Sequence, residues 1–301
     1  MERRQFLKVT AVGTLAAGIF PFYNTPKLLK AQNAIPQVVW IENGEPEVLL
    51  QSALKELGGM KQFISKGDVV VVKPNIGWAK TPEFAATTNP DLVAAIVKEC
   101  YNAGAKEVKV FDHTCNAWSR CYKYSQIEDK ASGNGAKVTQ AYDHKYKDLT
   151  INGELIKEWP IYKDYLEADK IINVPIAKHH SLDRVTLGLK NLMGVMGGNR
   201  GFIHNNFGQK LADINSKLLP TLTIIDAYRI LTANGPTGGN LAQVKQTKTL
   251  IASTCTVSAD YTAVQLFGHK PDDVQHIRVA AERGLNKFDL NSLSVKKVQL
   301  T

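Results

Sequence analysis

The stretch Asp68-Val69-Val70-Val71-Val72-Lys73 constrains the fold more than any other part of this 301-residue chain. A short, continuous valine-rich run reads as a strand buried inside a layered protein. It ends in Pro74-Asn75-Ile76-Gly77. Asn89-Pro90 then opens an amphipathic helix that runs to about Asn102, with Asn89 as N-cap, Pro90 at the first helical position and Gly104 ending it. Residues 108–112 form the next strand. This strand, helix, strand order within about 45 residues is a βαβ unit, which is right-handed by default.

The same alternation runs along the chain. Residues 37–41 read as a first strand and 45–57 as a helix. In the second half, 170–174, 222–227, 247–253 and 294–300 read as strands, with helices over 209–219 and 259–267. The expected fold is therefore α/β: a layered, mainly parallel but mixed sheet flanked by helices. No internal repeat or Pro/Gly linker divides residues 35–301, so a single domain is expected there. A composition of 44% hydrophobic and 22% charged residues, without a low-complexity tract, excludes disorder as a class.

Residues 1–34 read differently. Arg3-Arg4-Gln5-Phe6-Leu7-Lys8 followed by an apolar run resembles a twin-arginine export signal. The run falls short of the roughly 20 apolar residues a spanning helix needs. Ala31 and Ala34 are acceptable cleavage positions without a clean small residue two places earlier, so an uncleaved membrane tether is an alternative to a released, periplasmic protein. This route carries folded proteins and is used heavily by cofactor-bearing redox proteins. The net charge of +9 includes Arg3, Arg4, Lys8, Lys27 and Lys30, and no dense basic run with interleaved aromatics argues for nucleic acid.

Ligands of open α/β sheets sit at the carboxyl ends of strands. The polar segments in that position are 73–78, 112–121, 175–180 and Asp226 with Arg229. The second contains Asp112-His113-Thr114-Cys115 and, in a C-x5-C spacing, Cys121. Two such cysteines suit three states. One is a 4Fe-4S cluster shared across a two-fold axis, each of two chains giving Cys115 and Cys121. The others are a disulfide, permitted by export, and two free thiols. Cys100 and Cys255 read as small core residues.

Lys178, His179, Lys190 and Asn191 could bind an anionic group, the lysines as point charges and the amide as an orienting group. With Lys73, Asn75 and His204 they would line one cleft. No G-x-G-x-x-G, G-x-S-x-G or H-E-x-x-H occurs, and Asn234-Gly235-Pro236-Thr237-Gly238-Gly239 lacks the lysine-serine ending of a phosphate loop.

Taken together, Val72-Lys73-Pro74-Asn75, Ala86-Thr87-Thr88-Asn89-Pro90, residues 173–180, Val185 through Gly194, His204 and Asn234-Gly235-Pro236 resemble the domain-of-unknown-function family 362. The resemblance spans about residues 73–267. It implies an α/β domain and, in many members, an association with iron-sulfur centres. This chain lacks their added ferredoxin-like segment and is similar to an exported branch with the Asp-His-Thr-Cys-Asn loop.

Three functional expectations follow. The first is an exported homodimer joined through the Cys115/Cys121 loop, sharing one 4Fe-4S cluster and passing electrons to an unidentified redox partner. The second is an enzyme acting on an anionic small molecule in the Lys/His/Asn cleft. The third is a binding protein stabilised by a Cys115–Cys121 disulfide.

Overall fold

The computed structural model describes residues 35–301, and the expected export signal lies outside the described residues. The chain passes in order through β1 (Val38–Glu42), α1 (Pro46–Glu56), β2 (Val69–Pro74), α2 (Pro90–Ala103) and β3 (Glu107–Val110). There follow α3 (Trp118–Ser125), α4 (Ile127–Gly133), β4 (Lys137–Val138), β5 (Tyr146–Thr150), β6 (Glu158–Tyr162), α5 (Lys163–Leu166), β7 (Lys170–Val174), β8 (Ile176–His180) and β9 (Arg184–Thr186). The last elements are α6 (Gly188–Asn191), α7 (Phe207–Asn215), β10 (Leu222–Leu231), β11 (Val244–Ser253), α8 (Thr256–Ala263), α9 (Gln275–Glu282) and β12 (Val295–Gln299).

The main sheet has the order β12-β1-β11-β10-β7-β2-β3-β4, with β8 joined to β10 and β9 to β8. β4, β3, β2, β7 and β10 run parallel to their neighbours, as do β1 with β12 and β8 with β10. β11 is antiparallel to both β1 and β10, and β9 is antiparallel to β8. The sheet is thus mixed and mostly parallel, in an α/β protein.

The valine run explains the centre of this arrangement. Val70 and Val72 point into a core filled from α1 and α2, whereas Val71 joins the core on the other face with Leu189, Leu192 and Phe207. Val70, Val71 and Val72 are fully buried, which is why the run carries no polar alternation. α2 starts as expected: the Asn89 side chain accepts from the Asp91 amide at 3.0 Å, and Gly104 ends the helix at φ 111°.

Several boundaries differ from expectation. The 209–219 helix is α7, which stops at Asn215. The 259–267 helix begins at Thr256 and tightens into a 3-10 turn over Val264–Phe267, closed by Gly268. β10 and β11 are ten residues each, extended past the sheet body as a ribbon with an irregularity between Ala227 and Arg229. The unexpected elements include α3, α4, β8, α9 and the separate β5–β6 pair, whose mixed polar sequence hides a short antiparallel ladder.

Candidate functional site

A cavity of about 380 Å³ opens where the parallel strands end, within the 300–1,000 Å³ range of small-molecule sites. Four segments wall it: Lys73 at the end of β2 with Asn75 and Gly77 after it; Asp112, His113 and Cys115 after β3; Lys178 and His180 on β8; and Lys190 and Asn191 in α6 with Arg200 and His204 in the connection to α7.

Its floor is an amide and ion-pair network. Lys73 Nζ lies 2.8 Å from Asp112 Oδ1, with both side chains buried, and donates to the Pro74 carbonyl at 2.7 Å. Burial lowers the Lys73 pKa from its ordinary value, and the Asp112 carboxylate opposes that fall. Asp112 Oδ2 accepts from the Ile76 amide at 2.6 Å, tying the β2 and β3 loops together. Asn191 donates to the Lys73 carbonyl (3.1 Å) and to Asn173 Oδ1 (2.9 Å), and its own oxygen accepts from Asn75 (3.3 Å). α6, one turn long, is held in place by Asp260, whose carboxylate accepts from the Gly188 and Leu189 amides at 2.6 and 2.8 Å. The chain passes so close to this floor at Gly194 that a Cβ there would lie 1.8 Å from Asp112 Oδ1.

Above the floor sit two lysines without an anionic partner. Lys178 is 1% exposed, and its Nζ donates to the Ala86 carbonyl at 2.5 Å and to Asn75 Oδ1 at 3.3 Å. Lys190 is 8% exposed, and its Nζ meets Met193 Sδ at 3.7 Å and the face of Phe207 at 4.5 Å. Among the described residues no carboxylate lies within ion-pair distance of either. Burial pulls Lys178 down to about 7 and Lys190 to about 8. His180 is pressed to about 2 by burial and then by the Lys190 and Lys178 charges, so its ring is neutral at physiological pH. It stacks on His204 with centroids 6.3 Å apart.

Of the residues expected in the cleft, Lys73, Asn75, Lys178, Lys190, Asn191 and His204 converge on it. His179 does not. Side chains alternate across a strand, so the β8 face that presents Lys178 also presents His180, and His179 turns away to accept from the Gly235 amide at 3.1 Å. Asp112, His113, His180 and Arg200 are cavity residues outside the expected ligand set. A strand assignment for 176–180 would have found His180 by alternation. Only the folded chain brings Arg200 to the loop after β3.

The two loop cysteines part company. Cys115 is exposed on the cavity wall, whereas Cys121 lies inside α3, fully buried, its thiol donating to the Gly77 carbonyl at 3.7 Å. Burial pushes the Cys121 thiol up to about 11. A cluster shared between two chains needs two thiolates per chain on a common surface, and Cys121 reaches none. Among the described residues no group of three or more His, Cys, Asp or Glu side chains is arranged to hold a metal ion. As folded, the chain presents one loop thiol, Cys115, at the cavity surface, while Cys121 is enclosed in α3. The two sulfurs are not joined as a disulfide. Cys100 and Cys255 are core residues, as expected.

Residues 70–265 match the family described as Domain of unknown function (DUF362). The chain belongs to the DUF362 family. It is 26% identical over 259 residues to the thylakoid-associated protein sll1697 of Synechocystis, covering 81% of this chain and 77% of that protein. Its fold is similar to that of the lactate racemase apoprotein of Thermoanaerobacterium thermosaccharolyticum, with a TM-score of 0.51 at 12% identity. That likeness covers 77% of this chain and 57% of the racemase chain, and it concerns the fold alone. Among the described residues no helix is long and apolar enough to cross a membrane.

Proposed function

We propose that this DUF362 protein is an enzyme acting on a small anionic molecule, a carboxylate above all, in the cavity at the strand ends. The observation that carries the reading is the pair Lys178 and Lys190, both buried and lining the cavity with no carboxylate to pair with among the described residues. A buried ammonium without a counter-ion is costly, and a fold that was only structural would pair it, as this one pairs Lys73 with Asp112. A bound anion supplies the missing charge.

The same two side chains suit proton transfer. An acid–base group works best with a pKa near the operating pH, and burial brings both lysines there. Neutral His180, whose Nδ1 accepts from the Leu182 amide at 3.2 Å, carries its proton on Nε2 and adds a hydrogen-bond donor beside them. The reaction class is therefore acid–base chemistry on a bound anion, with Asn75 and Asn191 orienting it. The iron-sulfur electron-transfer and disulfide readings draw less support, because Cys121 is enclosed in α3 and its thiol is free. The Arg3-Arg4 segment supports export by the twin-arginine route, and the thylakoid-associated relative is compatible with a protein working near a membrane.

A thermal-shift panel of acetate, pyruvate, malonate and inorganic phosphate tests the reading. At least one anion should raise the melting temperature of the wild type, and Lys190→Met should reduce the shift. A panel in which no anion stabilises the protein, or in which Lys190→Met responds as the wild type does, would overturn it.

A further inference from the structure

Among the cavity groups the proposed chemistry leaves unused is Cys115, an exposed cysteine that lines the same cavity as Lys178 and Lys190. A lone thiol on a loop would mean little. This one is held on a platform anchored at four points. The His113 amide donates to the Gly194 carbonyl at 2.9 Å, and the Cys115 amide to the Gly77 carbonyl at 2.8 Å. Arg200 donates to the His113 and Thr114 carbonyls at 3.0 and 3.1 Å. The sulfur therefore has a fixed place relative to the cavity, as a reacting group requires.

A second group lining the same cavity points to a ligand. Lys190 is more than nine-tenths buried, faces the cavity and has only a thioether and an aromatic face as partners. Burial lowers Lys178, and the largest charge opposing that fall is Cys115, ahead of Asp112. On Lys190 the Asp183 charge opposes the fall most, and Cys115 acts in the same sense. Thiol and amines thus share one electrostatic environment.

Building on the proposed anion site, we propose that Cys115 is a nucleophile that adds reversibly to the carbonyl carbon of a small carboxylate-bearing aldehyde or 2-oxo acid held by Lys178 and Lys190. The S–C bond forms while the C=O π pair moves to oxygen. The Lys178 ammonium gives a proton to that oxygen and regains one from the thiol, so the thiol proton is in effect passed to the oxygen. The net change is addition of S–H across C=O, which consumes no oxidant, reductant or other reactant. The cations hold the carboxylate, and the fixed sulfur meets the adjacent carbon.

Two measurements on the full-length protein test this. Iodoacetate and iodoacetamide alkylate thiols by the same displacement, forming S–C and releasing iodide, but only iodoacetate carries a carboxylate. Cys115, located by peptide mass mapping, should react faster with iodoacetate by on the order of tenfold, and Lys190→Met should abolish the preference. Glyoxylate labelled with 13C at its aldehyde carbon should give a sulfur-bound saturated-carbon signal that Cys115→Ser lacks. Faster reaction with iodoacetamide in the wild type, or no adduct at saturating glyoxylate, would overturn the proposal. If malonate binds while these tests fail, the anion site stands and the thiol's role falls. If no anion binds and both tests fail, both readings fall.

Discussion

Binding of an anion to this cavity should be accompanied by proton uptake, and the amount follows from the two lysines. With Lys178 near 7, about a tenth of it is protonated at pH 8, and with Lys190 near 8, about half. A bound carboxylate favours the charged form of each and moves both back toward the ordinary value of 10.5. Uptake at pH 8 then approaches about 0.9 proton from Lys178 and about 0.5 from Lys190. Calorimetric titration of malonate at pH 8, in Tris and in HEPES, reads this number from the difference in apparent enthalpy. Wild type should take up about 1.4 protons, Lys178→Met about 0.5 and Lys190→Met about 0.9. Because the slope of log affinity with pH equals the proton uptake, affinity should fall by about 25-fold per pH unit at pH 8 and more steeply toward pH 9. Malonate binding with no proton uptake, or with equal uptake in wild type and both variants, would refute the argument that the lysines are the ion's partners.

Three further outcomes concern the scaffold. Because the lowered Lys178 makes the folded state bind fewer protons than the unfolded one between about pH 7 and 10.5, its charge costs stability below that window and nothing above it. In denaturant titrations the stability of Lys178→Met relative to wild type should therefore drop by about 3 to 4 kcal/mol on going from pH 7 to pH 10, and a pH-independent difference would contradict the burial argument. Gly194→Ala should lower the midpoint of urea unfolding by a few kcal/mol equivalent, since its Cβ would overlap Asp112 Oδ1 and lie 2.4 Å from Lys73 Nζ; an unchanged midpoint would show that the floor yields. Asp213→Ala should cost about 3 to 5 kcal/mol, because the carboxylate accepts from the Glu154, Leu155 and Ile156 amides at 2.7–2.9 Å and pairs with Arg283 at 2.6 Å. Burial works to raise the Asp213 pKa, and these bonds outweigh it, so the stabilisation is present above the ordinary carboxylate value and is lost as pH falls through the lower folded one. A wild type whose stability advantage persists to pH 2 would count against this.

The sheet was legible where the sequence is locally unambiguous. The valines of β2, the N-cap and terminal glycine of α2, and the apolar runs of β7 and β10 each carry their own signal. α3 and α4 were not legible, because Gln126, between them, breaks one stretch into two short helices through a left-handed backbone at φ 61°. β5 was hidden by an exposed and charged sequence that pairs only with β6. At the site, positions after strand ends identified Lys73, Asn75 and Lys178 through the geometry common to open parallel sheets. His179 was chosen over His180 for want of a strand assignment at β8. The C-x5-C spacing suggested partners, yet a helix that starts at Trp118 turns Cys121 inward while Cys115 stays on the loop. Spacing along the chain does not fix which way two side chains face once a helix begins between them.

The central claim, that two buried and unpaired lysines await an anion, is tested most directly by NMR of the lysine side chains. In protein labelled with 13C at lysine Cε, Lys178 and Lys190, assigned through their methionine variants, should titrate near pH 7 and 8. Saturating malonate should move both midpoints upward by at least about one unit. Ordinary midpoints near 10.5 for both, indifferent to malonate, would contradict the account.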